Sequence, residues 1–345
     1  MGGMADRTVR WLLGLCAAIL VAAALAAAQS VAAPIAFALF VIALAAPVQQ
    51  RAERVMPATF AMLLTLLVTL VVVVGLAYAT AWGFGRVAQW LLAESPRLQA
   101  LVMNQLAWLE GQGIAAAGLL GEAFDVRRLA RIAQGVLLQM QGIVTFAALT
   151  LVFAILGLLE AGAVARQLAR HGPDSNAGRL LRGFAAAAAK LRTYMLVRSI
   201  MSLLTGLAVW AFAAAVGLPL AAEWGVIAFV LNYIPFIGSL IATLFPTAIA
   251  AVEFGSWQMA LLVFAVLQAI QFLSGSYIEP RLAGAHLALS PFLVLVAVFV
   301  GALLWGIPGA FIGVPVLILA LTLCEQFPGA RWIAELCSGR PPDPR

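Results

Sequence analysis

What most limits the fold of this chain is its succession of apolar stretches long enough to cross a lipid bilayer. A helix needs about 20 apolar residues to span the hydrocarbon core. Runs of that kind lie at 11–28, 58–82, 143–159 and 195–216, and more follow almost without pause to Cys324. A transmembrane barrel would need alternating apolar and polar residues in short strands, and these Ala- and Leu-rich blocks do not alternate. The chain is predicted to be all-α, a polytopic helical membrane protein. Composition agrees, since 64% of the 345 residues are hydrophobic and 10% are charged, where a soluble domain carries about a quarter charged.

The net charge of +6 does not point to nucleic acid, because no basic helix or aromatic RNA-binding motif gathers it. Topology accounts for it instead. Arg7 and Arg10 precede the first run, Arg51 and Arg54 follow the second at 31–46, and Arg166, Arg170, Arg179, Arg182, Lys190, Arg192 and Arg198 surround the fourth-to-fifth connection. Positive loops stay cytoplasmic, so the amino terminus and these three regions are assigned to that side. The first run also has the layout of a secretory signal, but its length and the spans behind it favour retention. Cys16, Cys324 and Cys337 match no ligand spacing or disulfide framework.

Five regions follow from this pattern: spans one to three at 1–82, an extracytoplasmic amphipathic insert at 83–141, spans four and five with a basic loop at 142–219, a broken-helix region at 220–325, and a cytoplasmic tail at 326–345. In the insert, Leu98, Leu101, Val102, Leu106 and Leu109, then Leu129, Ile132, Val136, Leu137 and Met140, recur at helical spacing. Such stripes suit a membrane surface or a packing arm. His171 falls in the polar loop "RHGPDSNAGR" and reads as solvated.

The broken region carries the functional signal. The run 221–252 is interrupted at "NYIPFIG", and the run 292–323 at "WGIPG". Helix breakers at membrane depth are tolerated where the backbone is buried in protein or lines a wet cavity. Both regions are therefore expected to be broken helices or re-entrant hairpins, which would put the linker "SYIEPRLAGAHLALSP" in the cytoplasm. A single span at 221–252 would face it outward. In this region Asn232, Tyr233, Glu279 and Arg281 are candidates for a solute pathway or gate, since ionisable groups beside membrane segments mark such places; mutual pairing or snorkelling of Glu279 and Arg281 is the bland account. Gln268 and Gln271 share a helix face and join the list, with interhelical hydrogen bonding as the simpler role. Pro235, Gly238, Pro308, Gly309 and Pro315 shape backbone.

Enzyme chemistry finds no footing. There is no HExxH, P-loop or Cys/His cluster, so neither metal nor cofactor is expected. "SGS" at 274–276 with His286 lacks the elbow a serine nucleophile needs.

Three motifs in order, "NYIPFIGSLIATLFP", "IEPRLAGAHLALSP" and "LLWGIPGAFIGVPV", resemble the signatures of the AI-2E family of autoinducer-2 exporters and related permeases. The resemblance implies a secondary transporter of the bacterial inner membrane, a homo-oligomer, in the family a pentamer, embedded in lipid and moving a small-molecule solute. It lands on Asn232, Pro235 and Gly238, on Glu279, Pro280, Arg281 and Gly284, and on Trp305, Gly306, Pro308 and Pro315. It departs at Ser276 and Ala283, where asparagine and methionine are frequent among relatives. The resulting expectation is export of a small polar organic solute such as autoinducer-2. Sodium/proton antiport with Glu279 as proton carrier, and a scaffold that recruits partners without transport, are the alternatives.

Overall fold

The computed structural model describes residues 2–111, 126–172, 175–283 and 289–337. Gly284 and most of the linker that follows it lie outside this set. The helices in chain order are α1 (Gly2–Ala27), α2 (Gln29–Ala52), α3 (Ala58–Ala93), α4 (Ser95–Gly111), α5 (Val126–Ala169), α6 (Asn176–Ala215), α7 (Ala221–Leu231), α8 (Ile237–Phe254) and α9 (Trp257–Phe272), followed by α10 (Glu279–Ala283), α11 (Pro291–Gln326) and α12 (Arg331–Cys337). Among the described residues there is no β-strand. Seven helical stretches among the described residues are long and apolar enough to cross a membrane. Leu67, Val71 and Val72 on α3, Leu203 and Leu207 on α6 and Leu261 on α9 are exposed. A lipid surrounding suits such side chains where water would not. This is an all-α, multi-pass membrane protein.

The chain divides into two compact units assembled from interleaved segments: residues 1–69, 148–191 and 288–345 form one, and 70–147 with 192–287 form the other.

In the first unit α11 is not a straight rod. Trp305 (φ −135°, ψ 18°) and Gly306 (φ 63°, ψ −140°) leave helical geometry, and the chain turns back on itself. The arms meet backbone to backbone: a Cβ on Gly301 would strike the Gly309 carbonyl, one on Gly309 the Gly301 carbonyl, and one on Gly313 the Ala297 carbonyl. Only small residues permit that approach in a lipid-embedded helix pair. Gly306 combines positive φ with an extended ψ, a region essentially closed to side chains. The turn is held from outside, since the Trp305 indole Nε1–H donates to the Leu25 carbonyl at 3.0 Å. Leu25 lies in the last turn of α1, where carbonyls lack intrahelical donors. Phe37 of α2 packs on Phe311 at 5.5 Å between ring centroids. Lys190 reaches both oxygens of Glu325, at 2.9 and 2.8 Å.

In the second unit the carboxyl-terminal part of α6 packs on α7 through facing glycines; a Cβ on Gly206 would sit 2.8 Å from the Gly225 carbonyl oxygen. The core joins Val209 and Ala213 of α6, Trp224 and Ala228 of α7, Ala250 of α8, and Val263 and Leu267 of α9. Helices α7 and α8 form a second hairpin, with residues 232–236 as its turn, and a Cβ on Gly238 would collide with the Leu231 carbonyl. Two ion pairs tie the hairpin to preceding helices, Arg86–Glu223 at 3.2 Å and Arg97–Glu253 at 2.9 Å. Gly255 (φ 58°) ends α8 in the left-handed conformation that stops helices cleanly. Ser256 then caps α9 by accepting from the Met259 amide.

Candidate functional site

The turn at 232–236 is tightly wound. The amides of Asn232, Tyr233 and Ile234 donate to the carbonyls of Ala228, Val230 and Leu231, and those of Ile237 and Gly238 to Pro235 and Ile234. Pro235 has no amide to satisfy. Most of the backbone donors freed by the break are thus met inside the turn, and its side chains become the groups that face outward from it. Phe236 adopts φ 64°, strained for a residue with a side chain.

Those side chains reach α6. The Asn232 amide Nδ2 donates to Ser202 Oγ at 3.2 Å, and the Tyr233 hydroxyl to Ser199 Oγ at 2.9 Å. Ser202 is fully buried and Tyr233 nearly so. The Tyr233 ring stands edge-on to Phe229 at 5.7 Å. Ser199 adjoins Arg198, whose Nη1 donates to Glu279 Oε2 at 2.8 Å. One helical turn back, the Tyr194 ring lies under the guanidinium, 5.8 Å from its carbon. Residues 194, 198 and 202 repeat at four-residue spacing and so share one face of α6. Around that face meet a charge pair, four hydroxyls (Tyr194, Ser199, Ser202 and Tyr233) and the Asn232 amide.

Arg198 stands apart from the loop arginines with which charge patterning groups it. Its side chain is 10% exposed and that of Glu279 22%. Burial pushes the Glu279 carboxyl above the usual carboxylate range, and the Arg198 charge pulls against it. Within this cluster two buried polar atoms, Arg198 Nε and the Tyr194 hydroxyl, have protons with no acceptor among the described residues, while the Tyr194 hydroxyl oxygen lies as a hydrogen-bonding neighbour of the Arg198 guanidinium.

Glu279 and Arg281 do not pair with each other. Arg281 is exposed and its guanidinium carbon lies 3.8 Å from the centroid of the Tyr277 ring, a cation–π contact. Gln271 is buried and Gln268 exposed, although both lie on α9. Pro280 does not stop the helix. A π-helical turn, Leu273–Ile278, precedes it and α10 continues through it. Proline removes the amide that would bond four residues back and crowds that carbonyl, and widening the turn is one way a helix absorbs this. Ser274, buried in the widened turn, gives its hydroxyl to the Ile270 carbonyl at 2.8 Å.

The remaining predicted residues belong to the first unit. Trp305 and Gly306 form the turn of α11, Pro308 opens its second arm, Gly309 lies at the arm contact, and Pro315 sits within the second arm, buried. Among the described residues no group of three or more His, Cys, Asp or Glu side chains is arranged to hold a metal ion. Sequence reading missed Tyr194, Ser199 and Ser202. Their four-residue register with Arg198 is a signal, but serines and a tyrosine in an apolar helix also fit plain packing.

Known proteins resemble this chain over nearly all of it. The family model described as AI-2E family transporter matches residues 13–329. The AI-2 transport protein TqsA of Escherichia coli K12 is 38% identical over 145 residues, 42% of each chain, so the match spans less than half of TqsA's own length. A Haemophilus influenzae protein named for transport alone is 28% identical over 333 residues, 92% of this chain and 93% of its own. YhhT of Escherichia coli K12, also named for transport, is 31% identical over 149 residues, 43% of this chain and 42% of its own.

Proposed function

This chain belongs to the AI-2E family of transporters, and from that membership we propose that it exports a small polar organic solute across the bacterial inner membrane, with autoinducer-2 as the first solute to test. The observation that carries the reading is the meeting of Asn232 and Tyr233, at the turn of one hairpin, with Ser199, Ser202 and the Arg198–Glu279 pair. Transporter sites are built where interrupted helices bring polar groups into the membrane. In this reading both hairpins are re-entrant, the two termini are cytoplasmic, and the chain works as a homo-oligomer of five copies, as the family resemblance implies. Asn232, Tyr233 and Glu279 contact or gate the solute, Gln271 and Arg281 flank the path, and Trp305 with Gly306 shapes a second turn of the same kind.

Proteoliposomes loaded with autoinducer-2 test it. Efflux is expected from vesicles holding the wild-type chain and to fall at least about tenfold with Asn232→Ala, the cost of one buried hydrogen-bonding group at a site of this kind. Unchanged efflux in that variant and in Glu279→Gln removes the site assignment; absence of efflux of any small polar solute removes the function.

A second reading, cation/proton antiport, draws on the place of Glu279, a largely buried carboxyl held 2.8 Å from Arg198 whose charged form burial disfavours. An imposed sodium gradient then drives proton movement in the same vesicles, and its failure to do so excludes this reading.

A further inference from the structure

The Arg198–Glu279 contact is a single hydrogen bond between two groups that can make two. A guanidinium and a carboxylate of full complementarity join as a fork, with two parallel N–H···O bonds. Here only the Nη1–Oε2 bond forms, and the buried Nε has no acceptor. Beside it the Tyr194 hydroxyl is also buried; its oxygen faces the guanidinium, and its own proton has no acceptor among the described residues. Donors of this kind are costly to leave unmet in a low-dielectric interior. A buried cation with an unmet Nε–H, next to a hydroxyl proton that is also unmet and next to the hairpin turn, suits an oxygen acceptor, and an oxygen anion best of all.

We propose that Arg198 and Tyr194 form an oxyanion site, at which the carboxylate or phosphate of a small solute replaces Glu279 on the guanidinium while Glu279 takes up one proton. The inference rests on the proposed reading of this region as the solute site, and gives that solute its chemical class. The step balances. The site holds one positive and one negative charge before, and after it holds the guanidinium, the bound anion and a neutral carboxylic acid. The proton comes from water, which reaches the partly exposed Glu279 side chain. Without that proton a second negative charge would lie beside the first in a largely buried place, which like-charge repulsion disfavours. Among the described residues the titratable groups of this neighbourhood are Arg198 and Tyr194 on α6, Tyr233 in the hairpin turn, and Tyr277 and Arg281 beside Glu279 itself. Among these described residues Glu279 is the one carboxyl.

The test is equilibrium binding to the purified full-length chain in nanodiscs of zwitterionic lipid, read as thermal stabilisation in titrations with lactate, with inorganic phosphate, and with glycerol as the uncharged control, at constant ionic strength. A pH indicator in weak buffer follows proton uptake at neutral pH. The wild-type chain is expected to be stabilised by at least one of the two anions and not by glycerol, with close to one proton taken up per site filled. Glu279→Gln frees the guanidinium, so its apparent dissociation constant for the anion should fall about tenfold with no proton uptake, the effect of removing a competing charge-assisted bond. Tyr194→Phe should weaken binding by roughly three- to tenfold, as loss of one hydrogen bond does. Tighter binding in Glu279→Gln cannot come from damaged folding.

Equal stabilisation by glycerol, or no gain in Glu279→Gln, overturns the proposal. Repeating the titrations in discs containing phosphatidylglycerol separates a solute from a lipid headgroup: if anionic lipid alone abolishes the response, the occupant is lipid and the solute assignment fails. Anion binding with the Glu279 response but no efflux from proteoliposomes would sink the transport reading and leave this site standing. Efflux without anion binding would do the reverse.

Discussion

Arg198 and Glu279 stand 81 residues apart in sequence and form the buried charge pair of the second unit. Removing one partner from such a pair leaves the other uncompensated, which costs about 3–5 kcal/mol, whereas replacing both by apolar residues of similar size is often neutral. Arg198→Gln should therefore lower the melting temperature in detergent by several degrees, and Arg198→Met with Glu279→Leu should recover most of it. A double variant as unstable as the single one would show that the arginine matters through packing alone. The carboxyl also sets a pH trend. A carboxyl raised in the folded chain contributes stability that is fully present below its unfolded value and lost as pH rises through its folded value. The wild type should thus lose thermal stability relative to Glu279→Gln as pH climbs from about 4 to about 8; parallel curves would contradict the burial of this group. Sequence displayed Glu279 because it stands in a motif between apolar runs. It could not show the partner, since a lone arginine near a basic loop looks like a topology signal and its pairing depends on how two distant helices pack.

At the scale of the element, the hairpin of α11 depends on two distinct properties of glycine. Gly306 supplies a backbone conformation, and Gly301, Gly309 and Gly313 supply closeness. Gly306→Ala should cost about 1–3 kcal/mol from strain alone. Gly309→Val should do worse, because its side chain has a carbonyl in the way and the arms must part. Comparing their melting temperatures in the full-length chain checks this, and a Gly309→Val chain as stable as wild type would mean that the arms can separate freely. These turns were legible before the structure because Pro and Gly announce a break locally, at Pro235 and Gly238 as at Gly306 and Pro308. The response to Pro280 was not legible. Whether a helix stops at a proline or widens ahead of it is decided by its neighbours, and here the π-helical turn carries the helix on into α10.

At the scale of the whole molecule, the apolar pattern fixes a multi-pass helical protein, and basic loops supply a proposed orientation. In the proposed topology the two hairpins each return to their own side, which would put the linker containing Ala285 in the cytoplasm. With Cys16, Cys324 and Cys337 replaced by serine, a cysteine introduced at Ala285 should react with a membrane-impermeant maleimide only in inverted vesicles. Labelling from the outside of intact cells would mean that 221–254 crosses once. Native mass spectrometry of the detergent-extracted protein should find five copies, and a monomer would remove the assembly from the proposal. Span number could be read from length and hydropathy because lipid thickness imposes them. The partition into two units could not, since it joins segments that the sequence separates.

That partition bears on the order in which the two units can be completed during synthesis. The second unit draws nothing from beyond residue 287, while the first waits for the segment that begins at 288. Chains emerge amino terminus first, and units fold once their parts are available. Helices α1 and α2 are therefore synthesised well before α11, on which they pack, so during translation they must be sheltered by the insertion machinery or by lipid until α11 arrives.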